Sequence, residues 1–379
     1  MSSSINSLHL INFRNHHNFQ LSSSARLLIL EGQNGVGKTS ILEAISLFSP
    51  GRGIRNAKPD EILRNEPGTC ISNTNSAKNI HEWCVFGRYN SRENTLNIST
   101  GCNFSKNSKR IVKIDDKTVS KQSELLELIR IVWLTPQMER IILDAPNIRR
   151  KFWDRICYNL YPEHAANFIA YEYYIKSRMK ILYMQKFDDV WLKNIESEIA
   201  DYAIRIRSTR LKCLEIFRSS LHDIGFIRHL NPSIELTEFL DKELVDSYDD
   251  EKKLYVSEKL KYYRDIDRKS NRSNFGPHKT DLIILSNINN LNIKYCSTGE
   301  QKLMLAAMTL AHAKSIYKIS KISPLILLDE ILAHLDNKKQ EILLLELLGI
   351  NSQIFVTTTE TDLAIHTNNF VDIDRILLR

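Results

Sequence analysis

The first thirty residues alternate between apolar and polar positions as strands do: Ser7–Phe13 reads SLHLINF and Arg26–Glu31 reads RLLILE. A glycine-rich turn follows the second run at once, and the spacing then becomes helical over Thr39–Phe48. From about residue 70 to 120, short runs such as Glu82–Tyr89 and Arg110–Ile114 sit between Asn, Ser, Gly and Asp clusters, which predicts a polar meander of strands. The middle of the chain is different. Glu163 to Ile224 passes without a glycine or proline, and Ile195, Ile199, Tyr202, Ile206, Cys213, Phe217 and Leu221 recur at helical intervals. Asp188 and Asp189 read as a cap between two helices, so the section is a helical insert, too short for a long coiled coil. Glu235–Glu251 carries eight carboxylates and one lysine and reads as a solvated loop and helix face. Beyond about residue 275 the pattern is α/β again, with strands at Leu282–Leu285, Leu325–Asp329 and Gln353–Thr357 and helices at Glu300–Tyr317 and Lys338–Leu348.

Composition narrows the class. A chain of 379 residues is long enough for two or three domains, and the pattern divides it at 1–146, 147–272 and 273–379. With 12 glycines and 9 prolines, about half the usual share, collagenous and linker-rich readings are excluded and long helices are favoured. A net charge of +7 is a mild bias towards an anionic partner. The six cysteines form no CxxC pair, so neither a zinc knot nor a redox motif is written here. Met1-Ser-Ser-Ser-Ile-Asn lacks the basic and apolar regions of a signal peptide. No stretch reaches the ~20 apolar residues of a membrane span. The expectation is a cytoplasmic protein that does not touch membranes.

The chemistry lies at the two ends. Gly32-Gln33-Asn34-Gly35-Val36-Gly37-Lys38-Thr39 matches GxxxxGK[ST] between a predicted strand and a predicted helix, the context that separates a P-loop from a chance match. Backbone N–H groups of such a loop turn inward on a phosphate, Lys38 reaches the β- and γ-phosphates, and the Thr39 hydroxyl binds Mg²⁺. Pro324-Leu-Ile-Leu-Leu-Asp329-Glu330 is an apolar strand ending in acids: Asp329 is the second metal-side residue and Glu330 is placed to polarise an attacking water. Because Lys38 and Asp329 are so far apart in sequence, something large is inserted between them. Ser297, Gly299 and Glu300 open the helix ahead of Asp329, where a capping box alone accounts for the residues quite well.

Position favours more. A Ser297-Thr-Gly-Glu-Gln-Lys302 segment just before the acidic strand resembles the ABC-ATPase signature, Ile331–Asp336 its D-loop and Phe355–Glu360 the strand that ends at its switch. Adding Asn12-Phe-Arg14-Asn15, Gly51-Arg-Gly-Ile-Arg55, Thr135-Pro136-Gln137, Ile148–Asp154 and Phe275-Gly-Pro-His-Lys279 with Asp281, the chain resembles the RecF family of bacterial recombination mediators over nearly its whole length. The resemblance implies a P-loop ABC/SMC-like ATPase head with a β-rich subdomain and an inserted helical arm. It implies ATP and Mg²⁺ as cofactors, Arg14 and the P-loop residues at the nucleotide, and Gln137 as a Q-loop residue serving catalysis and metal. By the same resemblance, Ser297 and Gly299 are expected to contact the ATP of a second subunit. It further implies a slowly hydrolysing homodimer on gapped or junction DNA that helps RecA load, with RecR and RecO as partners. Departures are present: Gln137-Met138 stands where the family usually has Glu-Asp, and Asp329-Glu330 where Asp-Asp is common. The rival readings are a transporter motor ATPase, against which the wide gap between motifs counts, and a nuclease-coupled ATPase, for which the 43 residues after Asp336 leave no room. For DNA contact the sequence offers basic clusters at Arg149–Arg155, Lys176–Lys180, Arg205–Lys212 and Lys259–Arg272.

Overall fold

The computed structural model describes residues 3–64, 82–91, 94–105, 107–120, 124–184, 188–286, 291–332, 337–359 and 372–378. In chain order, β1 (Ser4–Phe13) and β2 (His16–Ser22) form a hairpin, and β3 (Leu27–Glu31) leads through the P-loop into α1 (Lys38–Ser46). A single turn, α2 (Pro59–Ile62), precedes the strands β4 (Glu82–Asn90), β5 (Thr95–Asn103), β6 (Asn107–Ile114) and β7 (Lys117–Thr118). Another turn, α3 (Leu125–Leu128), precedes β8 (Ile131–Leu134). The helices α4 (Pro146–Leu160), α5 (Glu163–Leu182) and α6 (Asp189–His222) come next, then β9 (Pro232–Leu236), α7 (Asp249–Tyr262), α8 (Arg264–Ser270), β10 (Leu282–Ser286) and β11 (Leu291–Asn292). The chain closes with α9 (Thr298–Ser320), β12 (Leu325–Leu328), α10 (Asn337–Leu348), β13 (Ile354–Thr358) and β14 (Ile373–Leu377).

Two compact units result: Met1–Glu139 with Ile224–Phe226 and Thr298–Arg379, and Arg140–Asp223 with Ile227–Ser297. The first holds a five-stranded parallel sheet in the order β14-β3-β13-β12-β8 and a six-stranded antiparallel sheet in the order β2-β1-β4-β5-β6-β7. Strands β3, β8 and β12 read LLIL, IVWL and LILL and are buried throughout, as strands covered on both faces must be. The antiparallel strands alternate instead, as in β4, where Trp83, Val85, Gly87 and Tyr89 point inwards. Buried Gln353 joins the two sheets: its Oε1 accepts from the Ile5 N–H at 2.7 Å and its Nε2 donates to the Ala25 carbonyl at 3.1 Å.

The second unit is built on α5, α6 and α7. Of the apolar face predicted for the middle of the chain, Ile195, Ile199, Ile206, Cys213, Phe217 and Leu221 are buried and Tyr202 is half-buried. The predicted cap is present too: the Asp188 carboxylate accepts from the N–H groups of Val190 and Trp191 at the start of α6, a 34-residue helix about 50 Å long at ~1.5 Å per residue. Inside the unit, fully buried Arg178 donates to Glu196 at 2.9 Å and Asp267 at 2.6 Å, and Arg264 closes on Glu196 from the other side.

Differences from the sequence reading concern pairing. Leu282–Ser286 belongs to a small antiparallel sheet, β11-β10-β9, in the second unit, and only alternate residues of it are buried. This pairing gathers Ser273–Ser297 into the second unit, which is therefore wider than 147–272. The acidic stretch supplies a helix face as expected, with Asp249–Glu251 in the first turn of α7, but Glu235 lies within β9 and Glu238 binds Arg207 at 2.6 Å. Cys84, Cys102, Cys157, Cys213 and Cys296 are free thiols, while Cys70 lies outside the described residues.

Candidate nucleotide site

The P-loop runs from the end of β3 into α1 and borders a cleft of about 440 Å³. Two glycines are dictated by the backbone. Gly37 caps α1 at φ +110°, a conformation side chains rarely adopt. A Cβ on Gly32 would lie 2.6 Å from the Leu378 carbonyl oxygen. Between them, Gln33, Asn34 and Gly35 are exposed along the cleft wall, and Val36 closes the turn with its N–H on the Gln33 carbonyl. Lys38 is 4% exposed, and its ammonium donates to the Gly32 and Gln33 carbonyls, so the charge is held at the mouth of the loop.

The two ends of the chain meet here. The Thr39 hydroxyl donates to Asp329 Oδ1 at 3.0 Å across 290 positions of sequence. Asp329 follows β12, and its N–H continues the ladder onto the Leu134 carbonyl. Its Oδ1 also accepts from the Thr357 hydroxyl at 2.7 Å. Glu330 lines the cleft and sits at φ +52°, with its N–H donated to Thr357 Oγ1 at 2.9 Å. A non-glycine residue in the left-handed region costs of order 1–3 kcal/mol and is held there only by its surroundings.

Arg14 sits in the two-residue turn of the β1–β2 hairpin, at φ +54°. Its Nε and one terminal nitrogen make a paired bond to buried Glu43 at 2.9 and 2.6 Å, and the other nitrogen donates to the Glu61 carbonyl at 2.5 Å. Arg55 lies 3.5 Å from the same carboxylate. Both arginines line the cleft. The same hairpin turn braces the loop: Asn15 donates to the Gly35 carbonyl at 3.2 Å, and His16 Nε2 is 3.2 Å from the Gly37 carbonyl. Burial holds the His16 imidazole below its ordinary pKa, with Arg64 adding to the effect and the Gly37 carbonyl opposing it.

Other sequence-predicted residues lie elsewhere. Gln137 is exposed on the short helix after β8 and is not in the cleft lining. Ser297 is exposed and Gly299 faces open space at the start of α9, also outside that lining. Lys302 of the signature-like segment pairs with Glu139, two residues from Gln137, at 3.1 Å. Ile331 and Leu332 are buried, while residues 333–336 of the D-loop segment and Glu360 lie outside the described residues. Many basic cluster members face inwards: Arg149 makes a paired bond to Asp281, Arg150 donates to the Thr280 carbonyl, Arg178 is fully buried, and Arg210 binds Asp154 with both ends of its fork. Burial works to raise the Asp154 carboxyl, but His164 and Arg210 outweigh it and hold it below the ordinary aspartate range. Lys176, Lys180, Lys261, Arg268, Lys269 and Arg272 are exposed.

Among the described residues, no cluster of three His, Cys, Asp or Glu is placed to hold a metal, and no helix is long and apolar enough to cross a membrane. The family model described as the RecF/RecN/SMC N terminal domain matches residues 4–376. The chain belongs to the RecF family. It is 36% identical over 366 residues to a DNA replication and repair protein RecF of Rickettsia conorii (strain ATCC VR-613 / Malish 7), covering 94% of this chain and 95% of the relative. The corresponding protein of Rickettsia prowazekii (strain Madrid E) is 37% identical over 358 residues, with the same shares covered. In fold, the chain matches a RecF–ATPrS structure of the recombination mediator with a TM-score of 0.82 at 21% identity, covering 100% of this chain and 96% of the other. An Smc head domain from Pyrococcus furiosus matches with a TM-score of 0.52 at 18% identity, over 100% and 94%. The fold is thus the RecF fold with its SMC-like ATPase head, as the motifs implied.

Thr357, Glu43 and Arg55 carry geometry that the motif reading did not assign. Glu43 was the detectable one, a lone carboxylate four positions after Thr39 within the apolar run Ile41–Ile45.

Proposed function

We propose that this chain is an ATP-switched DNA-binding protein of replication and recombinational repair. ATP lies along the P-loop, with Lys38 on its β- and γ-phosphates and Arg14 beside it. The observation that carries the reading is the meeting of Thr39 and Asp329, a hydroxyl and a carboxylate 3.0 Å apart at the mouth of a phosphate-binding loop. Both are hard oxygen donors of the kind Mg²⁺ takes while keeping several waters. They would hold that ion. The ion would neutralise charge on the phosphates; Glu330 takes a proton from the attacking water, and Lys38 holds the phosphate it attacks.

Ser297 and Gly299 serve the ATP of a second copy, so two heads close around two nucleotides, and slow hydrolysis releases the dimer. DNA is held through phosphates, which read shape and charge and not base sequence. The exposed basic residues of α5, α7 and α8 are the side chains suited to this. Gapped or junction DNA is the preferred form, RecA loading the outcome, and RecR and RecO the partners. The names of the relatives, DNA replication and repair proteins, support the general role.

The test is a nucleotide titration joined to sedimentation. Lys38→Ala removes the charge that neutralises the γ-phosphate, so ATP binding is lost, and with it the faster-sedimenting species that ATP and gapped DNA produce together. Unchanged ATP affinity in the variant sinks the assignment.

A further inference from the structure

We propose that Thr357 is a positioning residue for ATP hydrolysis: one hydroxyl, shut inside the sheet, fixes both the carboxylate of Asp329 and the backbone of Glu330. The inference rests on the nucleotide reading given above and deepens it. Strand order provides the position. β13 lies between β3 and β12, with Thr357 opposite Leu30 and Val356 opposite Leu328, so its end falls between the P-loop strand and the acid strand. The strand is buried from end to end, and Thr357 is 0% exposed. A hydroxyl in such a place must be satisfied within the protein.

It is satisfied twice, once in each direction. As donor it binds Asp329 Oδ1 at 2.7 Å, and as acceptor it takes the Glu330 N–H at 2.9 Å. The second bond matters because Glu330 leaves the strand at φ +52°, and its N–H, which faces β13, is taken by the Thr357 side chain. Thr357 provides the acceptor that this turn requires, and the turn is what brings Glu330 to the cleft. Thr39 also donates to Asp329 Oδ1. Thr39 has a second duty towards the nucleotide; Thr357 has none and holds Asp329 whatever occupies the cleft. Neither bond touches the nucleotide, so its loss acts on turnover and leaves ATP binding in place.

The experiment compares the full chain with Thr357→Val, which keeps the shape and removes the hydroxyl, and with Thr357→Ser, which keeps the hydroxyl. ATP affinity is read by titration, turnover by single-turnover hydrolysis, and folding by thermal melting; Thr357→Ala replaces the valine variant if the latter does not melt cooperatively. We expect turnover to fall about 10–100-fold in the valine variant, as for other residues that orient a metal-side group, with ATP affinity within about twofold. The serine variant restores turnover to within about threefold of the unaltered chain. A valine or alanine variant that turns over at the unaltered rate, or a serine variant as slow as valine, overturns the inference and leaves the nucleotide reading standing. Failure of the unaltered chain to bind ATP overturns that reading and this inference with it.

Discussion

His278 shows how one side chain couples the second unit to pH. Its Nδ1 accepts the Tyr171 hydroxyl at 2.6 Å, and its Nε2–H donates to the Ser273 carbonyl at 3.0 Å, so the neutral ring already has both nitrogens occupied. Burial, helped by Lys279 and Arg150, holds its pKa down at about 4 against an ordinary 6.5, with the Ser273 carbonyl working the other way. Between those values the unfolded chain binds a proton that the folded chain refuses. Stability is therefore complete above about pH 6.5 and falls as pH drops towards 4, by up to ~3 kcal/mol. His278→Gln should flatten the melting temperature of the protein across that window, and a profile as steep as before would place the acid sensitivity elsewhere. Other residues of consequence were hidden in the sequence for a related reason. Lys38, Thr39 and Asp329 could be read from spacing, because the P-loop and the acidic strand are written in consecutive letters. Glu43 stands out as a lone carboxylate in an apolar run and Thr357 is the first of three threonines, but the partners of both appear only when the fold is known.

At the scale of the element, α5 shows what charge runs conceal. Lys176, Arg178 and Lys180 read as one basic cluster, yet Arg178 lies on the face of Tyr171, Ile181 and Leu182 and is fully buried, while the two lysines are exposed. The seven-residue interval from Tyr171 to Arg178 was the available signal, two turns along one helix face. Inside, Arg178 binds Glu196, Asp267 and the Leu260 carbonyl, which ties α5 to α6, α7 and α8. Removing one partner of a buried ion pair leaves the others as uncompensated charges, at a cost of about 3–5 kcal/mol. Arg178→Met, which keeps the chain length and removes the charge, should lower the unfolding free energy of the second unit, read in urea, by that amount. Lys180→Met, exposed two residues further along, should change it by less than about 0.5 kcal/mol. If the two variants unfold alike, the buried network contributes little.

At the scale of the whole molecule, the parallel sheet was legible as three apolar strands, and the helical insert as a stretch free of glycine and proline. The hairpin strand β2, the edge strand β14 and the strands β9 and β11 that flank the predicted β10 were not, because short half-buried strands carry too few apolar positions to separate them from loops. The function of an ABC-type head also lies beyond one chain. Ser297 is exposed and Gly299 half-buried at the start of α9, outside the lining of the P-loop cleft, and a Cβ added to Gly299 would meet no heavy atom within 4 Å. If they serve the ATP of a second copy, Ser297→Arg sets a bulky cation at a helix start, against its dipole and in the space of the partner's γ-phosphate. ATP should then bind each single chain as before, while the ATP-dependent dimer fails to form. With one set of basic residues on DNA in place of two, phosphate contacts fall by about half, so affinity drops and the slope of log K against log[salt] flattens in proportion. The measurement is DNA binding with ATP across a salt series, unaltered chain beside Ser297→Arg, with sedimentation as the dimer readout. Equal slopes and equal affinities would mean that single chains hold the DNA, and the two-headed clamp would have to be abandoned.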